Sequence, residues 1–335
     1  MRLYLGMERE LLVVDPERPG EARRHLQTLP ITSLAVDPLR PERIYCGTFG
    51  QGLWRSNNAG DSWSPTPGVM RSALVHSVAV SSVETAHGYG VVYAGTEPAA
   101  LYRSEDGGAT WRELTALQAL PSSANWSFPP RPHSNLARWI ALHPTRPGRL
   151  ALAIEAGALV RSDDGGETWQ DTRPGSPYDT HTVAFHPARP DLLISAAGDG
   201  LFESPDAGDS WRRAEPAPYP YLWGLALHPG DPEVVLVSAA PGPGQGHGLR
   251  GETRSGIFRK WRGEPWQASR AGLPDDAGTI LPVLTADPAT PGAVYALSNK
   301  GFFHSRDFGG AWEPLPVPWP NALLRQHAQA LAIGA

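Results

Sequence analysis

Short apolar runs alternate with glycine- and proline-rich punctuation along the chain, and they recur in a fixed order. "ITSLAVDP" (31–38), "HSVAVSS" (76–82), "RWIALHP" (138–144), "HTVAFHP" (181–187), "LWGLALHP" (222–229) and "PVLTADP" (282–288) share one layout, most of them closing on His-Pro or Asp-Pro. A second β-rich run follows each: "RIYCGTF", "VVYAGTE", "RLALAIE", "DLLISAA", "EVVLVSA" and "AVYALSN". A tight glycine turn and a third strand come next. Period-two alternation with β-branched and aromatic content predicts strands throughout. The third strand runs into a box of the form S-x-[DN]-x-G-x-x-W: "RSNNAGDSWSPT" from Arg55, "RSEDGGATWREL" from Arg103, "RSDDGGETWQDT" from Arg161, "ESPDAGDSWRRA" from Glu203 and "HSRDFGGAWEPL" from His304. The last interval between boxes is twice the usual one. "RKWRGEPWQAS", from Arg259, fills it, keeping the Gly263 to Trp266 spacing without the Ser and Asp.

Self-similarity at a fixed period marks a repeat architecture. Each unit reads as four antiparallel strands, A to D, with the box on the C–D hairpin. "RLYLGME" and "ELLVVDP" at the N-terminus look like B and C strands lacking an A strand, and "QALAIGA" at the C-terminus looks like an A strand with nothing after it. Together they make a seventh unit, and a sheet completed from both ends closes a ring and removes exposed edges. The expected fold is a single all-β, seven-bladed β-propeller over 1–335, with blades at 1–30 plus 326–335, 31–68, 74–116, 136–173, 180–215, 221–270 and 280–316.

The repetition of the box argues against catalysis. A Ser hydroxyl and an Asp or Asn oxygen accept from inward-pointing turn N–H groups, a glycine supplies the positive φ, and the Trp packs between neighbouring blades. Asn58 replaces Asp in the first box, an exchange a hydrogen-bond acceptor tolerates and a general base does not. On these motifs the chain resembles the Asp-box, or BNR-repeat, β-propellers, as a single-propeller bacterial member. That superfamily includes sialidases, xyloglucanase-type glycoside hydrolases, sortilin-type receptors and photosystem II assembly factors. The resemblance implies the fold and little about activity. The sialidase pattern fits poorly, since only "RIY" at Arg43 is similar to its R-I-P motif, and xyloglucanase-type enzymes carry two propellers where this chain has length for one.

Composition narrows the function classes. A net charge of -5 with 19% charged residues gives no electrostatic footprint for nucleic acid. Lys260 and Lys300 are the only lysines among 29 basic residues, an arginine bias read as the coding habit of a GC-rich bacterial genome. Cys46 is the only cysteine, so no intrachain disulfide forms, and neither a signal-peptide pattern nor a membrane-length apolar run occurs. The expectation is a cytoplasmic monomer without nucleic-acid or membrane partners.

Candidate chemistry gathers on the face opposite the boxes. Aligned A strands place Thr32, His76, Arg138, His181, Trp223, Pro282 and Gln329 at one position around the channel mouth, with His327 just outside. The B–C turns add Glu97, Glu155, Asp199 and Asn299 with Lys300. Two insertions project there: 116–135, with Trp126, Phe128, Arg131 and His133, and 241–254, with His247, Arg250 and Glu252. Long loops of this kind often serve as lids. Trp126, Trp223, Tyr219 and Tyr221 are candidates for a stacking platform. His143, His186 and His228 stand where other units have Asp37 and Asp287 and read as turn residues. The candidate ligand-binding set is His76, Arg138, His181, Trp223 and His327; the candidate catalytic set is Glu155, Asp199 and His181, the two carboxylates raising the imidazole pKa. His76 and His181 are the candidates for a metal. No cofactor is assigned. The leading expectation is a propeller that binds a small molecule, glycan or peptide at the top of its channel. The alternatives are a glycoside-hydrolase-like hydrolase or lyase using an acid and His, and a protein-assembly scaffold.

Overall fold

The computed structural model describes residues 1–68, 70–249 and 252–334. Seven antiparallel sheets stand around one axis. Six follow the predicted units in order, and the seventh is composite: Ala328–Gly334 pairs with Arg2–Met7, which pairs with Glu10–Val14 and then Arg23–His25. The register runs from Arg2 opposite Gly334 to Met7 opposite Ala328. The ring is therefore closed by strands from both ends of the chain. The unit beginning at Ala137–Leu142 has three strands, and an isolated bridge between Arg161 and Gln170 stands in for its fourth.

The sheets are apolar on both faces because each packs against two neighbours. The second strands Leu150–Ile154, Val234–Ala240 and Val294–Ser298 are buried from end to end. Side chains from adjacent sheets share each core cluster: Tyr4, Leu11 and Val13 of the composite blade meet Ile44 and Trp63 of the next. Each such side chain removes area worth about 1.5–3 kcal/mol from water.

The boxes form the staples their residues imply. In the fourth blade Ser162 Oγ donates to Asp164 Oδ1 at 2.8 Å and accepts from Gly166 N at 2.8 Å, while Thr168 N donates to Asp164 Oδ1 at 2.9 Å. The geometry repeats at Ser56 with Asn58, Ser104 with Asp106, Ser204 with Asp206 and Ser305 with Asp307. Gly166 sits at φ +90°, and a Cβ there would stand 2.5 Å from Leu114 of the preceding blade, so glycine answers both the turn and the close approach. An arginine at the end of the third strand adds an unforeseen link: Arg55 and Arg161, each just before the box Ser, and Arg259 of the degenerate box each reach a box carbonyl of the following blade, on Gly107, Ala207 and Asp307.

On the same face as the boxes, in the turns of the first hairpins, His143 Nδ1 accepts from Thr145 N and Arg146 N, and His186 Nδ1 accepts from Ala188 N and Arg189 N. Asp37 Oδ1 takes Leu39 N and Asp287 Oδ1 takes Ala289 N in the same place. A neutral imidazole nitrogen thus does the work of a carboxylate oxygen.

Candidate functional site

The ring of residues at the channel mouth has a structural cause. In the first strand of five blades the pairing slips by one residue: between Ile31 and Ser33, Val75 and Ser77, Ala137 and Trp139, Thr180 and Thr182, and Leu222 and Leu225. In the composite blade Gly6 faces Ala330 and Met7 faces Ala328. The residues left over are Thr32, His76, Arg138, His181, Trp223 with Gly224, and Gln329. Each is a β-bulge, which re-aims its side chain out of the alternation. The bulges also free carbonyls, and neighbouring blades use them: Ser77 Oγ donates to Ala137 O at 2.7 Å, Thr182 Oγ1 to Trp223 O at 2.8 Å and His181 Nδ1 to Leu222 O at 2.5 Å. Pro282 departs from the pattern. It lines a small recess between its own blade and the preceding one, beside Gly256 and Phe303.

Above the bulges lies a cavity of about 420 Å³, walled by Thr32, His76, Arg138, Trp223, Gln329 and His327, with Phe49, Phe128, Arg131, Glu155, Tyr221 and His247 around its rim. A second cavity of about 370 Å³ continues down the channel below His76 and Arg138. On one side Glu97, 2% exposed, accepts two hydrogen bonds from Arg131 at 2.8 and 2.6 Å and a third from His76 Nε2 at 2.8 Å. Burial pushes the Glu97 carboxyl up, but the hydrogen bonds from His76, Arg131 and Ser134 outweigh it and hold it at about 2. Burial also lowers the His76 pKa, so at neutral pH the imidazole is an uncharged donor. Arg131 lies over the rings of Phe128 and Phe49, at 4.7 and 5.3 Å, which ties the 116–135 insertion to the channel mouth.

On the opposite side the Arg138 guanidinium lies 4.4 Å from the Trp223 ring centroid, a stacked cation–π pair. Arg138 Nε is buried without a hydrogen-bond partner, and its nearest carboxylate oxygen, Glu155 Oε2, stands at 3.4 Å. His247 meets Trp223 edge-on at 4.6 Å and stacks on His327 at 5.6 Å. Burial depresses both imidazoles, His247 to about 3.

Behind this wall Glu155, Asp179 and His181 come together. His181 is 1% exposed, held between the rings of Tyr221 and Trp223 at 4.9 and 4.8 Å. It supports the cavity wall and does not itself line the cavity. The expected rise in its pKa is reversed: burial, with Arg138 nearby, lowers it to about 3. Burial raises Glu155 to about 7 and also raises Asp179.

The expected pairing of Glu155 with Asp199 does not form. Asp199 is exposed at its turn, where its backbone carbonyl takes the Arg213 guanidinium, and Asp179, from the connection into the same blade, reaches Glu155 instead. Sequence reasoning missed Asp179 because it weighed B–C turns and ring positions, and Asp179 lies two residues before the ring residue His181. The stacking platform is also smaller than expected. Trp126 is 6% exposed in a blade core with Nε1 on Ser122 Oγ, and Tyr219 packs edge-on against Phe258. Asn299 is buried and bonded to Gly278 O and Leu324 O, and Lys300 is bonded to Asp275 O. His133 is exposed, and Arg250 lies outside the described residues.

The BNR/Asp-box repeat family matches residues 160–171. No curated protein sequence matches the chain. Among solved structures, the chain is similar to an ancestral GH74 enzyme with a TM-score of 0.64 and 20% identity, over 85% of this chain and 38% of that one. It is similar to YCF48 bound to D1 peptide with a TM-score of 0.56 and 17% identity, over 86% and 84%. It is also similar to the nidogen/laminin complex structure, with a TM-score of 0.52 and 12% identity over 99% and 98%. The chain thus spans well under half of the GH74 enzyme, and at these identities the likeness is one of fold.

Proposed function

We infer, from a chain that is a seven-bladed β-propeller of the BNR/Asp-box superfamily, that it is a binding module whose ligand enters the cavity at the channel mouth and presents a carboxylate to Arg138. The observation that carries this reading is the state of the two arginines. Arg131 is saturated by Glu97, whereas Arg138 has a buried Nε without an acceptor and is braced against Trp223. A preformed pocket of apolar and aromatic walls with a few converging polar groups is the usual form of a small-ligand site, and about 420 Å³ holds one or two side chains or a single sugar ring. A short peptide end or a small aromatic acid matches an arginine flanked by Trp223, Phe49 and Phe128. The similarity to YCF48 bound to D1 peptide and to a nidogen/laminin complex fits a peptide-binding use of such a channel.

The test is a calorimetric screen of short peptides with free C-termini against their amidated counterparts. Binding of the free acids with loss on amidation is expected, and Arg138→Met should weaken it about 10- to 100-fold, the worth of a hydrogen bond to a charged group. Equal binding of acid and amide, or unchanged affinity in Arg138→Met, overturns the reading.

A hydrolase is the second reading, supported by Glu155, which reaches the cavity with a carboxyl held near 7. Against it, Asp179 lies beside Glu155 and behind the cavity wall, whereas glycoside hydrolysis needs carboxylates astride the substrate. Turnover of aryl glycosides by wild type and its loss in Glu155→Gln would favour the enzyme.

A further inference from the structure

Glu155, Asp179 and His181 project into one buried space from three separate places: a B–C turn, a connection between blades and a bulge. His181 Nε2 lies 3.6 Å from Asp179 Oδ2 and 3.9 Å from Glu155 Oε1, and the three donor atoms all lie within 4.8 Å of one another. Three observations distinguish this group from an ordinary acidic cluster.

The first is the tautomer of His181. Its Nδ1–H is spent on Leu222 O, so the lone pair of the neutral ring is on Nε2 and faces the carboxylates. An imidazole whose far nitrogen donates to a backbone carbonyl is the usual arrangement of a metal-binding histidine. The second is Glu155. It is 9% exposed, and among the described residues no hydrogen bond reaches either of its carboxylate oxygens; the nearest cation, Arg138 Nε, is 3.4 Å away. A buried carboxylate with no hydrogen-bond donor and only this long ion pair to Arg138 is costly, and a second carboxylate beside it raises the cost. The third is Tyr221. Its hydroxyl stands 3.3 Å from His181 Nε2 and 3.0 Å from His247 Nε2. It has one proton, and when that proton goes to His247, the nearer ring, His181 Nε2 is left free for another partner.

We propose that Glu155, Asp179 and His181 form a site for a divalent transition-metal ion, bound by His181 Nε2 and one oxygen of each carboxylate. One imidazole and two carboxylates suit zinc, manganese or ferrous iron, with bonds of about 2.0–2.2 Å. Donor atoms bound to one ion stand about 3.0–3.5 Å apart, so the group, now spread over as much as 4.8 Å, must close by up to about an ångström. Asp179, 31% exposed at its side chain and carried on a connection, is the residue placed to supply it. The ion reaches the site from the cavity, which Glu155 and Tyr221 both line, and its remaining positions face that cavity. Burial keeps His181 uncharged at neutral pH, the form in which it ligates. The competing account is a proton shared between the two carboxylates.

The experiment uses untagged full-chain protein, stripped with a chelator and titrated with Co²⁺ and Zn²⁺ in a calorimeter, with the Co²⁺ visible absorption recorded alongside. One equivalent bound at micromolar Kd or tighter is expected, with a Tm that rises with ion concentration. Asp179→Asn and His181→Gln should each weaken binding at least 10-fold, while His143→Asn, a turn histidine on the opposite face, should leave it unchanged. If His181→Gln fails to fold, Asp179→Asn alone decides. Arg138→Met should strengthen Co²⁺ binding by removing a nearby positive charge, the opposite of its effect on a carboxylate ligand, so the two proposals fail separately. No Co²⁺ or Zn²⁺ binding below 100 micromolar in wild type, or binding indifferent to Asp179→Asn, overturns the site and leaves the shared proton.

Discussion

The Asp-box carboxylates are structural acids whose value depends on being ionised. Burial pushes Asp106 up, but hydrogen bonds from Thr110, Ser104 and Ala109 outweigh it and hold it at about 2. Asp164, Asp206 and Asp307 are lowered by the same kind of bonds. A carboxylate depressed in the fold stabilises it fully above its unfolded pKa, near 4, and loses that contribution as pH falls toward its folded pKa. Stability should therefore decline between about pH 4 and 2, and Asp106→Asn should flatten that decline, as Asn58 already does in its own box. Denaturant midpoints measured across this range check it. Asp164→Ala should cost about 1–3 kcal/mol while leaving affinity at the channel mouth unchanged; a lost ligand with an unchanged Tm would contradict the separation of the two faces. The boxes were legible because five copies expose what is common to them. The pKa of His181 was not, because burial depends on which rings close over the side chain, and Tyr221 and Trp223 do so only in the folded blade pair.

At the scale of the strand, the bulge gives the mouth its chemistry. A regular strand would alternate its side chains between two blade interfaces; the extra residue sends one to the axis. Equivalence of the ring positions could be read from aligned strands, since the apolar pattern flanks each at the same offset. Which of them reaches the cavity could not, as His181 shows by turning into the wall. Asp199 and Asp179 make the same point for connections: the B–C turn of that blade points its acid to solvent, and only the path of the preceding segment brings the other acid inward. The 116–135 insertion is held by Glu97 through Arg131. Glu97→Gln should loosen that tie, seen as faster amide deuterium exchange over 126–134 with no change in the box hairpins. Unaltered exchange would mean that the aromatic contacts of Arg131 suffice to hold the loop.

For the whole molecule the closing blade is decisive. Its inner strand, Ala328–Gly334, contributes Leu331 and Ala328 to a core shared with Tyr295 and Leu297 of the neighbouring blade. Deleting 328–334 should lower the Tm of the entire ring by 10 °C or more, and not merely fray one sheet, because both flanking interfaces lose a wall. A truncated protein melting within a few degrees of wild type would show the six other blades to be self-sufficient. This composite blade was readable from the orphan strands at the two ends; the bridge replacing the fourth strand of the Ala137 blade was not, since "WQDT" carries the same box ending as its relatives.

That closure also sets how the molecule meets a mechanical load. Arg2 lies opposite Gly334 in an antiparallel ladder, so a force drawing the two ends of the chain apart acts across the strands, along the hydrogen bonds. The bonds then carry the load one pair at a time, from Arg2 and Gly334 inward to Met7 and Ala328, and give way like a zip. A ring that resists heat through a shared core is thereby left with a compliant seam, and a tug on its ends opens that seam while the other six blades are still intact.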